Sequence, residues 1–191
     1  MKFMNMQKNG GNKMLKMFYP FACVESVFSI DYKKLYNAGF KAIIFDIDNT
    51  LVHHGKASTP EVDALFERLH SLGFKTLLMS NNCQKRIEKF NRNINTLFIP
   101  DARKPFVKKY KKAISMLKVK DTEVIFVGDQ LFTDVLGANK VGIPSILVQH
   151  FRGNSGKGIG KRRKLENFIL KFYDSNNKYR NRLGDIEKGG E

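Results

Sequence analysis

The amino-acid sequence predicts an α/β fold of three layers, in which a mainly parallel sheet lies between two layers of helices. Two observations support this prediction. From Lys41 onward, short apolar runs of strand length alternate with segments in which apolar residues recur at helical spacing. The connections between these segments are short. Alternation of this kind makes the strands parallel and covers both faces of the sheet with helices.

The first regular strand and the helix after it have clear signals. Ala42–Phe45 is an uninterrupted apolar run, which is typical of a buried parallel strand. Residues 58–61 (STPE) predict a helix start, because they combine capping hydroxyls, a proline in the first turn and an early acid. Apolar residues follow at helical spacing until Gly73, which predicts the end of this helix.

The remaining elements continue the alternation. Further strands are predicted at 76–79, 96–99, 124–127 and 146–148. Helices are predicted at 82–90 with Asn82 as the cap, at 106–117, at 131–141, and around Leu165, Phe168, Ile169 and Phe172. The predicted domain organisation is a disordered N-terminal extension (1–13), a single domain (14–173) and a basic flexible tail (174–191).

Composition limits the classes of function. The 191 residues include 34 Lys and Arg against 18 Asp and Glu, so the formal net charge is +16. This excess predicts an anionic partner, namely nucleic acid, an anionic membrane surface or an anionic substrate, although a biased genome would also produce it. The two cysteines are too few for a disulfide scaffold, which favours a reducing cytoplasm. No apolar run is long enough to span a bilayer or to act as a secretory signal.

Polar residues follow the predicted strands at the points where they end. In parallel sheets, ligands bind beyond the carboxyl ends of the strands, so we expect these side chains to converge on one crevice. They are Asp46, Asp48, Ser80, Lys104, Asp129 and Asp134. Crowded carboxylates remain ionised only beside a cation, and a hard ion such as Mg²⁺ suits them. A metal, a carboxylate nucleophile and a lysine are the components of phosphoryl transfer.

Four short motifs occur in order along the chain: FDIDNTLV at 45–52, SNN at 80–82, ARKP at 102–105 and GDQLFTD at 128–134. Together they resemble the four motifs of the haloacid dehalogenase (HAD) phosphatases, and their spelling is most similar to the YqeG-like group of subfamily IIIA. The resemblance covers residues 14–172 and implies a Rossmann-like fold. Four motifs in register are far more specific than a lone DxDxT.

The resemblance implies a role for each matching side chain. Asp46 would attack phosphorus and form an aspartyl-phosphate. Asp48 would protonate the leaving-group oxygen and then activate water as a general base. Lys104 would neutralise charge on Asp46 and on the transferring phosphoryl group. The phosphate oxygens would be bound by Thr50, Ser80 and the amide of Asn81.

The resemblance also implies the ligands of Mg²⁺. They would be the carboxylate of Asp46, the main-chain carbonyl of Asp48 and the carboxylate of Asp129. Asp134 would support the ion from a second layer or through water, or would only be a helix-terminus acid. His53 and His54 follow the first motif, and we expect them to line a loop outside the site.

The intervals between motifs leave no space for a cap domain. Asp46 and Ser80 are separated by 34 positions, and Ser80 and Lys104 by 24, and the predicted strands and helices fill both intervals. An uncapped crevice is open to bulky substrates. Selectivity must then come from loops or from the surrounding surface.

The YqeG-like group is similar to the phosphatidylglycerophosphate phosphatases of mitochondria and cyanobacteria. Together with the positive charge, this similarity predicts a lipid-borne substrate in phospholipid synthesis and peripheral contact with the inner face of an anionic membrane. Phe18, Tyr19 and Phe21 would insert at the interface or, alternatively, pack in the core. Residues 161–164 (KRRK) would contact membrane or phosphate, or would form a solvated helix start.

Two other functions remain as alternatives. One is a capless phosphatase of a soluble nucleotide, sugar or macromolecular phosphate. The other is a basic RNA- or ribosome-associated protein with an incidental phosphatase site. The chain has no recognisable nucleic-acid motif, so nucleic acid is the less favoured partner. The oligomeric state is left open.

Overall fold

The computed structural model describes residues 14–149 and 161–188, and the proposed N-terminal extension at 1–13 lies outside these residues. Within these residues, the centre is a six-stranded sheet in which neighbouring strands pair in parallel, in the order β1-β6-β5-β2-β3-β4. The strands are β1 (Ala22–Val24), β2 (Ala42–Phe45), β3 (Lys75–Met79), β4 (Leu97–Ile99), β5 (Val124–Gly128) and β6 (Ser145–Val148).

In the described part of the chain, six α-helices connect and cover the strands. They are α1 (Tyr32–Asn37), α2 (Pro60–Ser71), α3 (Gln84–Phe90), α4 (Val107–Leu117), α5 (Leu136–Val141) and α6 (Lys161–Asp174). A single π-helical segment, Leu131–Val135, leads into α5. In α2, the N-cap Thr59 accepts a hydrogen bond from the Val62 amide and Pro60 occupies the first turn. The capping chemistry at 58–61 therefore starts this helix as predicted.

Strand β2 shows why the apolar run indicates a central strand. All four of its side chains are buried. Ile43 and Phe45 pack in the core on the face of α1, α2 and α3, whereas Ala42 and Ile44 pack in the core on the face of α4 and α5. A third cluster joins α6 to Leu147 of β6. The three-layer α/β prediction is confirmed.

Three features differ from the predicted elements. Neither β1 nor α1 was predicted, because β1 has only three residues with a strand neighbour on one side and α1 has only six. Asn82 does not cap α3. Cys83 stands at the N-cap and its side chain makes no capping hydrogen bond, while the Asn82 amide is used elsewhere.

The C-terminal residues are not a flexible tail as far as residue 188. Ile186 is buried in the core, and its carbonyl accepts a hydrogen bond from the Asp31 amide at 2.7 Å. The Arg182 guanidinium lies 3.6 Å from the centroid of the Phe21 ring and donates to the carbonyls of Tyr19 and Pro20. The segment is not basic either, since residues 174–191 include four Lys and Arg and four Asp and Glu, so their formal charges cancel. Burial of a few side chains outweighs its polar composition.

This packing predicts a stability effect. Ile186→Ala should lower the free energy of unfolding by about 2 kcal/mol, because it leaves a cavity in a packed cluster. For a chain of this size, that corresponds to a melting temperature lower by about 4–8 °C. Thermal denaturation measures it, with the exposed Asn177→Ala as control. Equal melting temperatures for the two variants would show that the segment does not contribute to stability.

In the described residues, the two intervals in which a cap domain was considered hold one helix each. Between β2 and β3 the only helix is α2, and between β3 and β4 the only helix is α3. Within residues 14–149 and 161–188, no helix has the length and apolar character needed to cross a bilayer.

Candidate active site

A crevice lies at the carboxyl edge of the sheet, and neighbouring strands deliver its side chains. Asp46 directly follows β2, Ser80 follows β3 and Asp129 follows β5. Because β2 pairs with both β3 and β5, these three residues start from adjacent positions. Lys104 comes from the loop after β4, the strand next to β3. The convergence predicted from the sequence is observed.

Lys104 is the central cation of this crevice. Its Nζ lies 2.6 Å from Oδ1 of Asp46 and 2.8 Å from Oδ1 of Asp134. Asp134 is fully buried, and its other oxygen, Oδ2, accepts a hydrogen bond from the Gln130 amide. A Cβ at Gly128 would lie 2.6 Å from the Asp134 carboxyl carbon. Glycine at position 128 therefore allows Asp134 to approach the end of β5 and hold Lys104.

Three buried carboxylates come together around Lys104. One oxygen each of Asp46, Asp129 and Asp134 can be chosen such that all three lie within 4.8 Å of one another. Neither oxygen of Asp129 accepts a hydrogen bond from the described residues. A buried carboxylate without donors is costly unless a cation lies beside it. The cluster therefore fits a divalent cation with oxygen ligands.

The electrostatics of the cluster lead to the same conclusion. Burial raises the pKa of Asp46 to about 7, with Lys104 opposing the shift and Asp134 adding to it. Burial also raises the pKa of Asp129 well above its usual range, and the Asp134 and Asp46 charges raise it further. Burial alone would lower the pKa of Lys104, but the two carboxylates outweigh it and raise that pKa. Lys104 alone does not balance the negative charge of all three carboxylates. An additional cation would therefore stabilise their ionised forms.

Asp48 stands apart from this cluster. Its Oδ1 accepts from the Gly55 amide at 2.8 Å, and its Oδ2 accepts from the side-chain amide of Asn82. Two nitrogen-bearing side chains approach Oδ1, since His54 Nδ1 and Arg86 each lie 3.7 Å from it. The turn that carries Asp48 contains Asn49 at φ 59°, a left-handed conformation that asparagine tolerates well. The two aspartates of the first motif thus meet different partners.

Two of the three predicted phosphate-binding residues line the same crevice, and the third, Thr50, does not. Ser80 and Asn81 line a pocket of about 140 Å³ together with Asp46, Asp48 and Lys104. The side-chain oxygen of Asn81 accepts from the Lys104 amide at 2.8 Å and so fixes the lysine loop. Thr50 is buried, is not among the lining residues, and its Oγ1 has no hydrogen-bond partner in the described part of the chain. The pocket has room for roughly five water-sized groups, comparable to one phosphate.

Helix α6 brings one more charged pair to the crevice. Arg163 lies 3.7 Å from Oδ2 of Asp129 and donates to the carboxylate of Glu166 at 2.9 Å. Glu166 is itself buried, with 2% of its surface exposed. A buried Glu166 on the same helix therefore orients Arg163 toward Asp129.

Some residues near the site were not predicted to belong to it. The sequence predicts a helix cap at Asn82, and Arg163 is one member of the basic run 161–164. Arg86 had no sequence signal, because a single basic residue on an amphipathic helix is usually solvated. His54 was expected to line a loop, and it lines the pocket with 77% of its side chain exposed. These residues reach Asp48 or Asp129 only because elements distant in sequence pack together. The sequence near each of them therefore gives no signal of a site.

Comparison with known proteins identifies relatives of the chain. Residues 101–163 match the model of the HAD-hydrolase-like family. The chain is 36% identical over 159 residues to a protein of Bacillus subtilis (strain 168) described as "Probable phosphatase YqeG". That alignment covers 82% of this chain and 92% of the relative.

Other similarities are shorter or more distant. A glyceraldehyde 3-phosphate phosphatase of Pyrococcus furiosus is 43% identical over 44 residues, which is 23% of this chain and 18% of that protein. Among solved structures, an uncharacterized protein from Listeria monocytogenes serotype 4b has a TM-score of 0.51 at 16% identity, covering 72% of this chain and 100% of its own. A putative phosphatase from Clostridium difficile has a TM-score of 0.50 at 16% identity, covering 59% and 86%. These structures support the fold.

Proposed function

Because the chain belongs to the YqeG-like phosphatases of the HAD superfamily, we propose that it hydrolyses phosphomonoesters through an aspartyl-phosphate on Asp46. The observation that carries this proposal is the contact between Lys104 and Asp46 beside two further buried carboxylates, in an uncapped crevice. A carboxylate becomes an effective nucleophile when a fixed cation offsets the repulsion of an incoming phosphate.

The first half of the reaction transfers the phosphoryl group to the protein. A carboxylate oxygen of Asp46 attacks phosphorus while Lys104 screens the negative charge of both groups. As the bond from phosphorus to the ester oxygen breaks, protonated Asp48 gives its proton to that oxygen. The product alcohol leaves through the open side of the crevice. Ser80 and Asn81 line the pocket and orient the phosphate oxygens.

The second half releases inorganic phosphate. Asp48 is now a carboxylate and takes a proton from a water molecule, which attacks phosphorus in turn. The bond between phosphorus and the Asp46 oxygen breaks, and the Asp46 carboxylate is restored. Asp134 keeps Lys104 in place throughout, because its carboxylate pairs with the same ammonium group at 2.8 Å. It is therefore a positioning residue.

We propose that the divalent cation is Mg²⁺ and that the carboxylates of Asp46 and Asp129 and the main-chain carbonyl of Asp48 would hold it. The donor set is all oxygen, and the Asp129 carboxylate accepts no hydrogen bond from the described residues. When bound, Mg²⁺ supplies charge that draws the phosphate toward Asp46. Asp134 contributes from the second layer, since Lys104 and the Gln130 amide already occupy its oxygens.

For the substrate we propose phosphatidylglycerophosphate, met at the inner face of an anionic membrane. The open crevice and the net charge of +16 support a substrate embedded in such a surface. The segment expected to insert is partly unsuitable, because Tyr19 is buried and Arg182 lies over Phe21. Phe18 packs edge-on against Phe132. Core packing, the alternative for these rings, is what the contacts favour.

Helix α6 offers a better membrane contact. Leu165, Phe168 and Phe172 recur at helical spacing and are 51%, 54% and 44% exposed, although each is large and apolar. The same helix has five basic residues and only two acidic ones, of which Glu166 is buried. An apolar stripe flanked by positive charge is the pattern of an interfacial helix.

Two measurements test this function. We expect the protein to release phosphate from phosphatidylglycerophosphate in preference to soluble nucleotide and sugar phosphates. It should also sediment with anionic vesicles and much less with neutral ones, more weakly at high salt. Replacing Leu165, Phe168 and Phe172 together by serine should weaken vesicle binding at least about tenfold.

The rates on a soluble ester provide the control, since none of the three stripe residues lines the pocket. They should remain at the parent level in the serine variant. Turnover of soluble esters alone, without vesicle binding, would contradict the lipid proposal and favour a soluble substrate. Whether the substrate proves to be lipid-borne or soluble, the phosphatase assignment would stand.

A further inference from the structure

Arg86 lies near Asp48, a residue that lines the crevice, and no carboxylate of the described residues is seen at hydrogen-bonding distance from it. It lies on α3, shortly after the Ser80–Asn82 loop, and its side chain is 20% exposed. One nitrogen donates to the main-chain carbonyl of Lys56, and the guanidinium lies 5.8 Å from the centroid of the Phe90 ring. These two contacts fix the head of the side chain and reduce the entropy lost when it binds an anion.

The nearest carboxylate does not use this guanidinium as a donor. Asp48 Oδ1 is 3.7 Å away, outside hydrogen-bonding distance, and the Gly55 amide already donates to it. The other Asp48 oxygen accepts from Asn82. An arginine has several N–H donors in a planar fork suited to phosphate. Within the described residues, only the Lys56 carbonyl is seen to accept from Arg86, so the fork has donors to offer an anion from outside.

His54, from the loop after β2, approaches the same Asp48 oxygen. Its Nδ1 is 3.7 Å from Oδ1, and it lines the pocket. Two nitrogen-bearing side chains from separate elements therefore converge beside Asp48. The phosphoryl group itself is served by Lys104, which is salt-bridged to Asp46 rather than to Asp48. The crevice thus has the Lys104 cation at Asp46, and the Arg86 cation with the His54 imidazole near Asp48.

We propose that Arg86, assisted by His54, binds a second negative charge carried by the leaving group. The inference rests on the proposed function, in which Asp48 protonates the leaving-group oxygen, so that groups around Asp48 face the departing alcohol. The preferred substrate class is a phosphomonoester whose alcohol also carries a phosphodiester. Esters with a neutral alcohol lack the group that Arg86 binds. Recognition by Arg86 depends on the second phosphate, and acyl chains are not needed for it.

A pair of water-soluble esters tests the proposal without a membrane. One is the deacylated head group, glycerophosphoglycerol phosphate, and the other is para-nitrophenyl phosphate, whose leaving group carries no phosphate. The parent protein should show the higher kcat/KM for the head group. Arg86→Gln should lower that kcat/KM about 10- to 100-fold, mainly through KM, because a charge-assisted hydrogen bond is lost. Its effect on para-nitrophenyl phosphate should be at least about tenfold smaller.

Two further variants separate binding from bulk charge. Arg86→Lys should restore part of the preference, because it keeps the positive charge. Lys85→Gln removes the same charge from an exposed neighbour on α3 and should leave the ratio of the two kcat/KM values unchanged. Equal losses on both esters in Arg86→Gln would show that Arg86 acts only through Asp48, and would overturn the subsite.

The subsite and the proposed function fail in different ways. Turnover of both esters without a preference in the parent, or with an unaltered preference in Arg86→Gln, would overturn the subsite and leave the phosphatase intact. Turnover of neither ester, with Mg²⁺ present, would overturn the proposed function and with it the subsite.

Discussion

Asp46→Asn is expected to abolish phosphatase turnover, by roughly four orders of magnitude or more. The carboxamide has no negative charge with which to attack phosphorus, and it cannot form the mixed anhydride on which the second half of the reaction depends. It also removes the charge that holds Lys104 Nζ at 2.6 Å. The measurement is phosphate release from any accepted ester under saturating Mg²⁺.

Folding must be shown to survive in this variant. Asparagine has nearly the same shape as aspartate, and Asp134 still pairs with Lys104, so we expect a cooperative melting transition in Asp46→Asn. Asp121→Asn is the matched control, because Asp121 is exposed and precedes β5, at the opposite end of that strand from Asp129. Its turnover should equal that of the parent. Appreciable turnover by folded Asp46→Asn would mean that another group attacks phosphorus.

Asp129→Asn is expected to uncouple the protein from its divalent cation. In the parent, Mg²⁺ at about 100 times its Kd should add about 2.7 kcal/mol to the free energy of unfolding. For a chain of this size the melting temperature then rises by about 5–10 °C. The variant should lose most of this rise and bind Mg²⁺ at least about 100-fold more weakly. Turnover should fall with it, because the cation no longer draws the substrate phosphate toward Asp46.

The change in melting temperature that Asp129→Asn causes in the absence of metal provides an independent check. Burial and the neighbouring carboxylates raise the pKa of Asp129, so the folded protein favours its protonated form. Near neutral pH, the ionised carboxylate therefore reduces stability when no cation is bound. Asparagine removes that cost, and the metal-free variant should melt at or above the parent temperature. A full Mg²⁺-dependent rise in Asp129→Asn would place the cation elsewhere, and a parent without such a rise would argue against the site.

Much of the fold and the core of the site could be predicted from local signals. Capping at 58–61 and the buried run Ala42–Phe45 identified a helix and a strand whose bounds agree with the structure. The rule that parallel strands end at a common edge was sufficient to bring Asp46, Lys104 and Asp129 together. These predictions succeeded because periodicity, capping and strand ends depend on residues close in sequence.

Other features had no local signal. The strand β1 is three residues long, and its partner β6 lies more than a hundred residues away. The segment after Asp174 is polar, yet Ile186 is buried. Asn82 had the residue type of a helix cap, but Asp48 is within reach of its amide in the folded chain. In each case the decisive contact is made with a distant element.

The sequence alone determined the class of fold, the short intervals between the motifs and the carboxylate–lysine core of the site, because each follows from neighbouring residues and from their order. Only the tertiary structure decided which charges face one another: Lys104 between Asp46 and Asp134, Arg163 against Asp129, and Arg86 beside Asp48. Such pairings depend on how helices α3 and α6 pack on the sheet. Packing is a collective property of the whole core, and no short segment of sequence specifies it.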